Sequence, residues 1–318
     1  MSFPFELLPE CWFLVGPTAT GKSAAALVVA EQIGAEILAL DSMTLYRGME
    51  IGTAKPSEID RARVPHHLLD LLDPQEEYSL ADYLAAAESA VRQVLSRGRV
   101  PLFVGGAGLY LRGLLRGMFE GPAANWDLRR ELEAFAERNG NEALHSRLKE
   151  IDPALAAKLP PADVRRIIRG LEVFEASGRP LSEQQQQGPR PIAERPAVVA
   201  WLNPPRERLY ARIEQRVDEM FTAGLVDEVR TLAAGPQGLG RTARQALGYR
   251  EILDAIEAGK STESARELIK TRTRQFGKRQ CTWFRNLEEC RPMKLTGDES
   301  AAEVARCYQE IRTVDRAE

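Results

Sequence analysis

The stretch Gly16-Pro17-Thr18-Ala19-Thr20-Gly21-Lys22-Ser23 decides the fold of this 318-residue chain. It lies between the apolar run Cys11–Val15, typical of a buried strand, and the alanine-rich stretch Ala24–Ile33, typical of a buried helix. Strand, glycine-rich turn and helix are the context in which this pattern forms a phosphate-binding loop. The two glycines let the backbone turn tightly, so successive N–H groups point into one concavity that accepts a polyphosphate.

The side chains that close this loop predict a metal-assisted phosphate site. Lys22 places a positive charge on the terminal phosphates, and the Ser23 hydroxyl is positioned to ligate Mg²⁺. We therefore expect a di- or triphosphate to bind here, with Mg²⁺ as the cofactor and Ser23 as its protein ligand. The predicted diphosphate-binding residues are Gly16, Thr18, Ala19, Thr20, Gly21, Lys22 and Ser23.

Short apolar runs alternate with helical stretches through the first third of the chain. Candidate strands cover residues 11–15, 36–40, 68–72 and 101–105, and a helical pattern over 78–97 precedes the last of them. Strands that alternate with helices predict a parallel sheet covered by helices on both faces. The predicted fold class is thus α/β, with a P-loop sheet as its core.

The character of the chain changes after Gly121. Strand signals vanish, and helical stretches such as 127–138 and 162–176 dominate until a Gln- and Pro-rich segment that ends at Pro196. Residues 197–202 then predict one more buried strand, followed by helices to the end. We expect a core of residues 1–120 and 197–318, interrupted by a helical insertion of residues 121–196.

Composition and charge exclude several classes of protein. The chain is 44% hydrophobic and 28% charged, as in ordinary globular proteins. We find no signal peptide, no apolar run near the roughly 18 residues of a membrane helix, and no Cys-x-x-Cys pair among four cysteines. These features predict a cytoplasmic protein without membrane, zinc-ribbon or disulfide elements. Because the net charge is −3, any nucleic-acid site must be a local patch.

A second candidate site begins at Asp41. This aspartate follows the predicted strand 36–40 and so lies at the carboxyl edge of the sheet, where the P-loop also opens and where open α/β sheets bind ligands. Three roles are compatible with this position: a Mg²⁺ ligand, a general base for a second substrate, or a turn or helix-capping residue. Spacing alone does not choose among them.

The strongest local excess of positive charge lies near the C-terminus. Residues 241–285 contain eleven Lys or Arg and five acidic residues. On one helix, Lys270, Arg274, Lys278 and Arg285 fall within about 80° of one another. We expect this basic stripe to face outward and the apolar side to face the core, with Ala265, Leu268, Ile269, Phe276 and Trp283. A solvated face and a phosphate-binding surface are both compatible with the stripe.

Several blocks in family order closely resemble the tRNA dimethylallyltransferase (tRNA isopentenyltransferase) family. They run from residue 16 to residue 285, and the Ile51–Pro56 and Lys278–Trp283 blocks are far more specific than the P-loop. No cysteine/histidine extension follows residue 285, which suggests the bacterial type without a zinc finger. The blocks are Gly16–Ser23, Asp41–Ser42, Tyr46–Met49, Ile51–Pro56, His67–Asp70, Tyr78–Ser79, Val104–Gly106, Leu109–Tyr110, Leu171–Val173, Leu209–Ile213, Gln245–Glu251 and Lys278–Arg285.

The resemblance implies transfer of a dimethylallyl group from dimethylallyl diphosphate to the N6 amine of the adenosine immediately 3′ of the tRNA anticodon, with release of diphosphate. It assigns Asp41 as the general base and places Lys22 and Arg216 at the diphosphate. A poorly nucleophilic amine acidifies as its new bond forms, which suits a carboxylate base. The expected partners are the tRNA anticodon stem-loop and dimethylallyl diphosphate, and no obligate protein partner is implied, so we expect a monomer.

The predicted RNA-binding residues combine the Asp41 segment with two basic clusters that would clamp an anticodon stem-loop. A target base must leave its stack to be modified, which costs least in a loop. The residues are Asp41, Ser42, Met43, Thr44, Arg129, Arg165, Arg166, Arg169, Gln245, Gly248, Arg250, Lys278, Arg279 and Arg285.

The sequence departs from the family pattern at Ala107, where threonine is usual, and at Thr44, where glutamine is frequent. Three rival interpretations remain: a P-loop kinase or NTPase, a prenyltransferase for free adenine nucleotides, and a nucleotide-gated RNA-binding module. Most P-loops bind nucleotides, which favours the first. The basic C-terminal stripe argues against the second.

Overall fold

A computed structural model describes residues 3–185 and 187–315. This part of the chain forms a six-stranded sheet in which every neighbouring pair is parallel, in the order β3-β2-β4-β1-β5-β6. The strands are β1 (Trp12–Val15), β2 (Ala35–Leu40), β3 (His66–His67), β4 (Val100–Gly105), β5 (Val198–Asn203) and β6 (Arg291–Lys294). The predicted α/β fold with a parallel sheet is confirmed.

Helices connect the strands and make up most of the remaining chain. Short 3₁₀ helices cover Phe5–Glu10 and Ile192–Glu194. The α-helices are α1 (Lys22–Ile33), α2 (Glu58–Arg63), α3 (Leu80–Ser96), α4 (Gly108–Arg116), α5 (Trp126–Asn139), α6 (Asn141–Ile151), α7 (Pro153–Ala156), α8 (Val164–Ser177), α9 (Leu181–Gln184), α10 (Arg206–Thr222), α11 (Leu225–Ala233), α12 (Arg241–Arg244), α13 (Tyr249–Glu257), α14 (Glu263–Arg285) and α15 (Ala301–Asp315).

Both faces of the sheet are covered, as continuous apolar strands require. Every residue of β1 and β2 is buried. On one face, α1 and α15 pack over alternate strand residues that include Leu14 and Ala200. On the other face, Phe13 and Phe103 stack with ring centroids 4.9 Å apart, and the Tyr83 hydroxyl of α3 donates to the Ala39 carbonyl at 2.9 Å. The central strands are therefore held rigidly, and so are the loops at their carboxyl ends.

The described chain divides into two compact units. Arg116–Gly188 form one unit, and the described residues on either side of it form the other, which contains the sheet. The first unit is helical and has its own apolar core, in which Leu144, Leu148 and Ile167 are fully buried. The boundaries predicted from composition, 121 and 196, stay a prediction.

One predicted strand is wrong. Residues 68–72 do not continue β3, because Leu68 and Asp70 adopt left-handed backbone conformations with φ of 62° and 54°. Left-handed residues break the extended pleat of a strand. The segment meets the loop after β2 instead, through a single bridge between Tyr46 and Leu72. Apolar composition indicated burial correctly, since Leu68 and Leu72 are buried, but not the backbone path.

The prediction of helices alone after β5 is also wrong. β6 extends the sheet beside β5. Only Met293 of its four residues is buried, and Pro292 lacks the N–H that a central strand needs. An edge strand of this kind carries no apolar alternation, so the sequence offered no signal for it.

Candidate active site

Three loops meet at the carboxyl ends of adjacent strands. The P-loop follows β1, Gly106 and Ala107 follow β4, and Asp41 follows β2. The Gly16 N–H donates to the Gly105 carbonyl at 3.2 Å. The N–H groups of Gly106 and Ala107 both donate to the Leu40 carbonyl, at 3.1 and 3.2 Å. The sheet thus brings the predicted phosphate loop and the predicted base to one corner.

This corner has no room for a side chain at Gly105. A Cβ placed there would lie 2.0 Å from the Leu40 carbonyl oxygen, closer than real atoms approach. Glycine therefore permits β2 and β4 to run together directly beneath Asp41.

The P-loop has the geometry of an anion cradle. Ala19 and Gly21 have φ of 63° and 81°, so the chain curls back on itself before α1 begins at Lys22. The Thr20 hydroxyl closes the curl by donating to the Pro17 carbonyl at 3.0 Å. Gly21, the N-cap of α1, supplies no side-chain cap, which leaves helix N–H groups available to an anion.

Two cations converge on this cradle. Burial lowers the pKa of Lys22 to about 8; the nearby Arg216 cation also lowers it, and Asp41 opposes the shift. Burial likewise lowers the pKa of Arg216, again against the influence of Asp41. Lys22 donates only to the Pro17 carbonyl, at 3.2 Å, and neither cation forms an ion pair with any described residue. Half-buried cations without an ion-pair partner among the described residues are costly, so this arrangement favours an anionic ligand.

Asp41 lies half-buried beside these cations with one oxygen committed. Its Oδ1 accepts hydrogen bonds from the N–H groups of Met43 at 2.8 Å and Thr44 at 3.3 Å. Its Oδ2 accepts none from the described residues. Asp41 therefore makes the turn contacts expected of a capping residue and still offers a second oxygen to a substrate.

The residues after Asp41 form a compact turn. Ser42 and Met43 are half-buried, whereas Thr44 is buried and its hydroxyl has no hydrogen-bond partner among the described residues. At the family's threonine position, the half-buried Ala107 presents only a methyl group.

Hydrogen bonds to acidic side chains and from a buried lysine fix the conformation of the Ile51–Pro56 block. Glu228 of α11 accepts hydrogen bonds from the N–H groups of Glu50, Ile51 and Gly52 at 2.7–3.1 Å. Lys55 is fully buried and donates to the Tyr46 carbonyl at 2.7 Å and to Asp70 at 2.6 Å. The most distinctive block of the sequence thus contains a loop-fixing lysine whose charge is already paired.

The predicted basic stripe on α14 is only partly free. Lys270 pairs with Asp218 at 2.9 Å and Arg274 with Glu214, because α14 packs against α10 and meets its acids. Lys278 and Arg285 are exposed and form no ion pair with a described residue. The prediction that all four residues form one outward basic stripe is therefore wrong. Lys278 and Arg285 face outward, whereas Lys270 and Arg274 are paired with acids of α10.

The predicted apolar face of α14 is also corrected. Ala265 and Ile269 are buried as expected, but Leu268, Phe276 and Trp283 are 43%, 38% and 37% exposed. Exposed Arg279 lies over the Phe276 ring, 5.8 Å from its centroid. The helix packs through a narrower strip than the wheel predicted, which leaves aromatic and basic side chains side by side at its surface.

In the helical unit, two of the predicted RNA-binding arginines, Arg129 and Arg169, donate hydrogen bonds to the buried Glu172. Glu172 is 1% exposed and accepts hydrogen bonds from Arg129 at 2.8 Å, from Arg169, and from the Asn125 N–H at 2.7 Å. These contacts hold the pKa of Glu172 below its usual value although burial raises it. Arg166 pairs with Asp163, whereas exposed Arg165 forms no ion pair with a described residue.

The remaining predicted RNA-binding residues lie near α13. Gln245 and Arg250 are exposed, and Arg250 is within 3.6 Å of Asp254. Gly248 is buried, has φ of 95°, and donates its N–H to Glu251 at 2.7 Å. It therefore shapes the start of α13 rather than its surface.

Two site residues had no individual signal in the sequence. Arg212 lies one turn before Arg216 in α10, and a Cβ on Gly21 would lie 3.0 Å from its guanidinium. Gln280 of α14 accepts from the Thr18 N–H and donates to the Gly106 carbonyl, both at 2.9 Å. Both approach the P-loop from helices distant in the chain, which local patterns do not reveal.

No group of three or more His, Cys, Asp or Glu side chains is arranged to hold a metal ion within residues 3–185 and 187–315. In the part of the chain that the structure describes, no disulfide joins Cys11, Cys281, Cys290 or Cys307. No described helix has the length and apolarity needed to cross a membrane.

Comparison with known proteins gives similarity along nearly the whole chain. Residues 44–287 match the family described as IPP transferase, and residues 9–65 match that described as Isopentenyl transferase. The tRNA dimethylallyltransferase of Rhodopirellula baltica is 44% identical over 98% of this chain and 96% of its own length. That of Geobacter metallireducens is 47% identical over 86% of this chain and 89% of its own length.

Solved structures show the same likeness. The tRNA isopentenylpyrophosphate transferase of Bacillus halodurans has a TM-score of 0.68 and 34% identity, covering 97% of this chain and 98% of that one. A eukaryotic dimethylallyltransferase described as acting on tRNA has a TM-score of 0.73 and 25% identity, covering 96% of this chain and 77% of that one.

We expect the affinity of the site for inorganic diphosphate to fall as pH rises through about 8. Below that pH Lys22 is already charged, whereas above it binding must restore the proton. The dissociation constant should then rise by up to roughly tenfold per pH unit. Titration calorimetry on both sides of pH 8 measures this. The Lys22→Arg variant stays charged over this whole pH range, so the part of the pH dependence that arises from Lys22 should disappear. Equal pH slopes in the two proteins would contradict the assignment.

Proposed function

Because the chain belongs to the tRNA dimethylallyltransferase family, an enzyme family that modifies tRNA, we propose that its P-loop holds the diphosphate of dimethylallyl diphosphate. The observation that carries this proposal is the pair of half-buried cations, Lys22 and Arg216, that form no ion pair with a described residue. A diphosphate would supply the missing negative charge. The loop then grips a leaving group rather than a phosphoryl donor.

Charge development explains why two cations are needed. As the bond between the allylic carbon and the bridging oxygen breaks, negative charge accumulates on the departing diphosphate. Lys22, Arg216 and the N–H groups at the start of α1 would stabilise this charge as it develops. Arg212, beside Gly21, adds a third cation to the rim of the cradle.

The residues present also fit a Mg²⁺ ion. The Ser23 hydroxyl is exposed at the start of α1 and makes no hydrogen bond to a described residue. Mg²⁺ takes hard oxygen ligands and usually combines few protein groups with phosphate oxygens and waters. Ser23 would hold the ion, which would supply further neutralisation of the diphosphate.

Asp41 would take the proton from the target amine. The N6 lone pair forms a bond to the allylic carbon while diphosphate leaves with the electrons of the broken bond. The amine nitrogen becomes acidic as that bond forms, and Oδ2 of Asp41 is free to accept the proton. Oδ1 stays bound to the Met43 and Thr44 N–H groups, so the carboxylate is already oriented.

The acceptor in this proposal is the adenosine immediately 3′ of the anticodon. The N6 amine lies on an edge of the base that a stacked nucleotide does not present to an enzyme, so the base must leave its stack to reach Asp41. A loop nucleotide costs little to extrude. We propose that Lys278, Arg279 and Arg285 of α14 contact the phosphates of the anticodon stem-loop; for Arg165 of the helical unit, a contact with RNA stays a separate proposal. Arg129 and Arg169 are better assigned to packing around Glu172.

The proposal extends to the setting of the reaction. A cytoplasmic enzyme agrees with four cysteines that remain thiols, and a monomer would satisfy the chemistry described here, because every proposed catalytic group comes from one chain.

Asp41→Asn tests the base directly. The variant keeps an acceptor oxygen for the Met43 and Thr44 N–H groups but cannot take a proton, so turnover should fall roughly 10²–10⁴-fold. Diphosphate affinity should change little. Transfer of labelled dimethylallyl to unmodified tRNA measures turnover, and calorimetry measures binding. Unchanged turnover would remove Asp41 from the mechanism.

Replacing Lys278 and Arg285 together by alanine should weaken tRNA binding and reduce its dependence on salt. Each lost phosphate contact should lower the slope of log affinity against log salt concentration by about 0.7–0.9. The matched control is Lys270→Ala with Arg274→Ala on the same helix, whose charges are paired within the protein. If the control flattens the salt dependence as much, the RNA surface is misassigned.

A further inference from the structure

Gln280 joins two parts of the active-site corner with a single amide. Its Oε1 accepts a hydrogen bond from the Thr18 N–H in the P-loop, and its Nε2 donates to the Gly106 carbonyl after β4, both at 2.9 Å. The side chain is 4% exposed. It stands 262 residues from Thr18 and 174 from Gly106 in sequence, so a distant helix makes this link.

The local chain is shaped around this amide. A Cβ on Gly106 would lie 2.3 Å from Gln280 Nε2, so only glycine lets the amide approach. The contact needs one donor and one acceptor at the end of a side chain of this length, which an amide provides and a carboxylate does not. Glutamate would still accept from Thr18, but its second oxygen would face the Gly106 carbonyl without a donor.

Gln280 joins the loop that would hold the diphosphate to the strand end that is bonded to the loop of the base. Thr18 belongs to the loop proposed to hold the diphosphate. Gly106 is bound through its own N–H to the Leu40 carbonyl, at 3.1 Å, and Leu40 precedes Asp41. The amide therefore provides a second hydrogen-bonded link between the cradle of the leaving group and the loop of the base, in addition to the bond from the Gly16 N–H to the Gly105 carbonyl.

We propose that Gln280 is a positioning residue for the transfer step, which fixes the distance between the diphosphate cradle and the base. This rests on the proposed function. Gln280 does not touch the reacting atoms in this account; it acts through the backbone of Thr18 and Gly106. Misplacement of reacting groups by about 1 Å costs on the order of 10²-fold in rate.

Gln280→Met tests this role, because it keeps length and apolar volume but removes both hydrogen bonds. We expect kcat for labelled dimethylallyl transfer to fall roughly 10–10²-fold, with tRNA affinity unchanged. Gln280→Glu should lower kcat too, and should raise KM for dimethylallyl diphosphate further than Gln280→Met does, since it adds negative charge beside the cradle. The two variants thus differ in a way that loss of stability alone would not produce.

Thr273→Val is the matched control. Thr273 is another buried polar residue of α14, and its hydroxyl donates to the Ile269 carbonyl away from the loop. It should lower the melting temperature without changing kcat or KM. If Gln280→Met behaves like Thr273→Val, Gln280 is merely a buried structural residue and the proposal is overturned. Gln280→Asn, which keeps the amide but shortens it, replaces the methionine variant if that protein fails to fold, and the same loss of kcat is expected.

Failure of the proposed function is recognised separately. If the unmodified protein transfers no dimethylallyl to tRNA, the function is wrong, and the role of Gln280 is then measured by diphosphate calorimetry, which needs no turnover. A displaced cradle should bind inorganic diphosphate more weakly in Gln280→Met than in Thr273→Val. Equal affinities in those two variants would overturn the positioning role as well.

Discussion

The positive charge of Lys22 and Arg216, which no described residue neutralises in an ion pair, is the constraint around which this site is organised. Burial lowers the pKa of both groups, although Asp41 opposes both shifts and Glu219 opposes that of Arg216. A stable protein tolerates such a cost where a ligand later offsets it. The parallel sheet supplies the rigidity, because its buried central strands end together and hold the three loops in place. An anion that enters this corner meets charges and N–H groups that are already oriented.

The same arrangement explains how a loop common to nucleotide-binding enzymes can serve allyl transfer. The loop recognises phosphate oxygens, and nothing in its backbone specifies what the phosphates are attached to. What differs here is the neighbour: a carboxylate with one committed oxygen and one free oxygen lies beside the cations. In the proposed mechanism, this carboxylate serves an amine nucleophile as its base, and the diphosphate is the group that departs. The exposed cations of α14 then agree with an RNA acceptor.

Local chemistry was predictable from the sequence and long-range chemistry was not. The P-loop, the strands β1, β2 and β4 and the place of Asp41 follow from patterns a few residues long. Arg216 was found only through family resemblance, and Gln280 was not singled out, because each reaches the corner from a helix far away in sequence. The prediction of an exposed basic stripe on α14 was partly wrong for the same reason. A helical wheel does not show that acids of α10 neutralise Lys270 and Arg274. The predicted strand over residues 68–72 was wrong because apolar composition does not reveal the left-handed backbone at Leu68 and Asp70.

In the proposed reaction the P-loop holds a leaving group rather than a source of phosphoryl. The most direct test gives the purified protein unmodified tRNA with either dimethylallyl diphosphate labelled in its allyl group or ATP labelled in its γ-phosphate. Label from the allyl donor should appear on the RNA, with diphosphate released, and ATP should yield neither free phosphate nor labelled RNA. Phosphate release or phosphoryl transfer from ATP, without allyl label on the RNA, would contradict the proposed reaction.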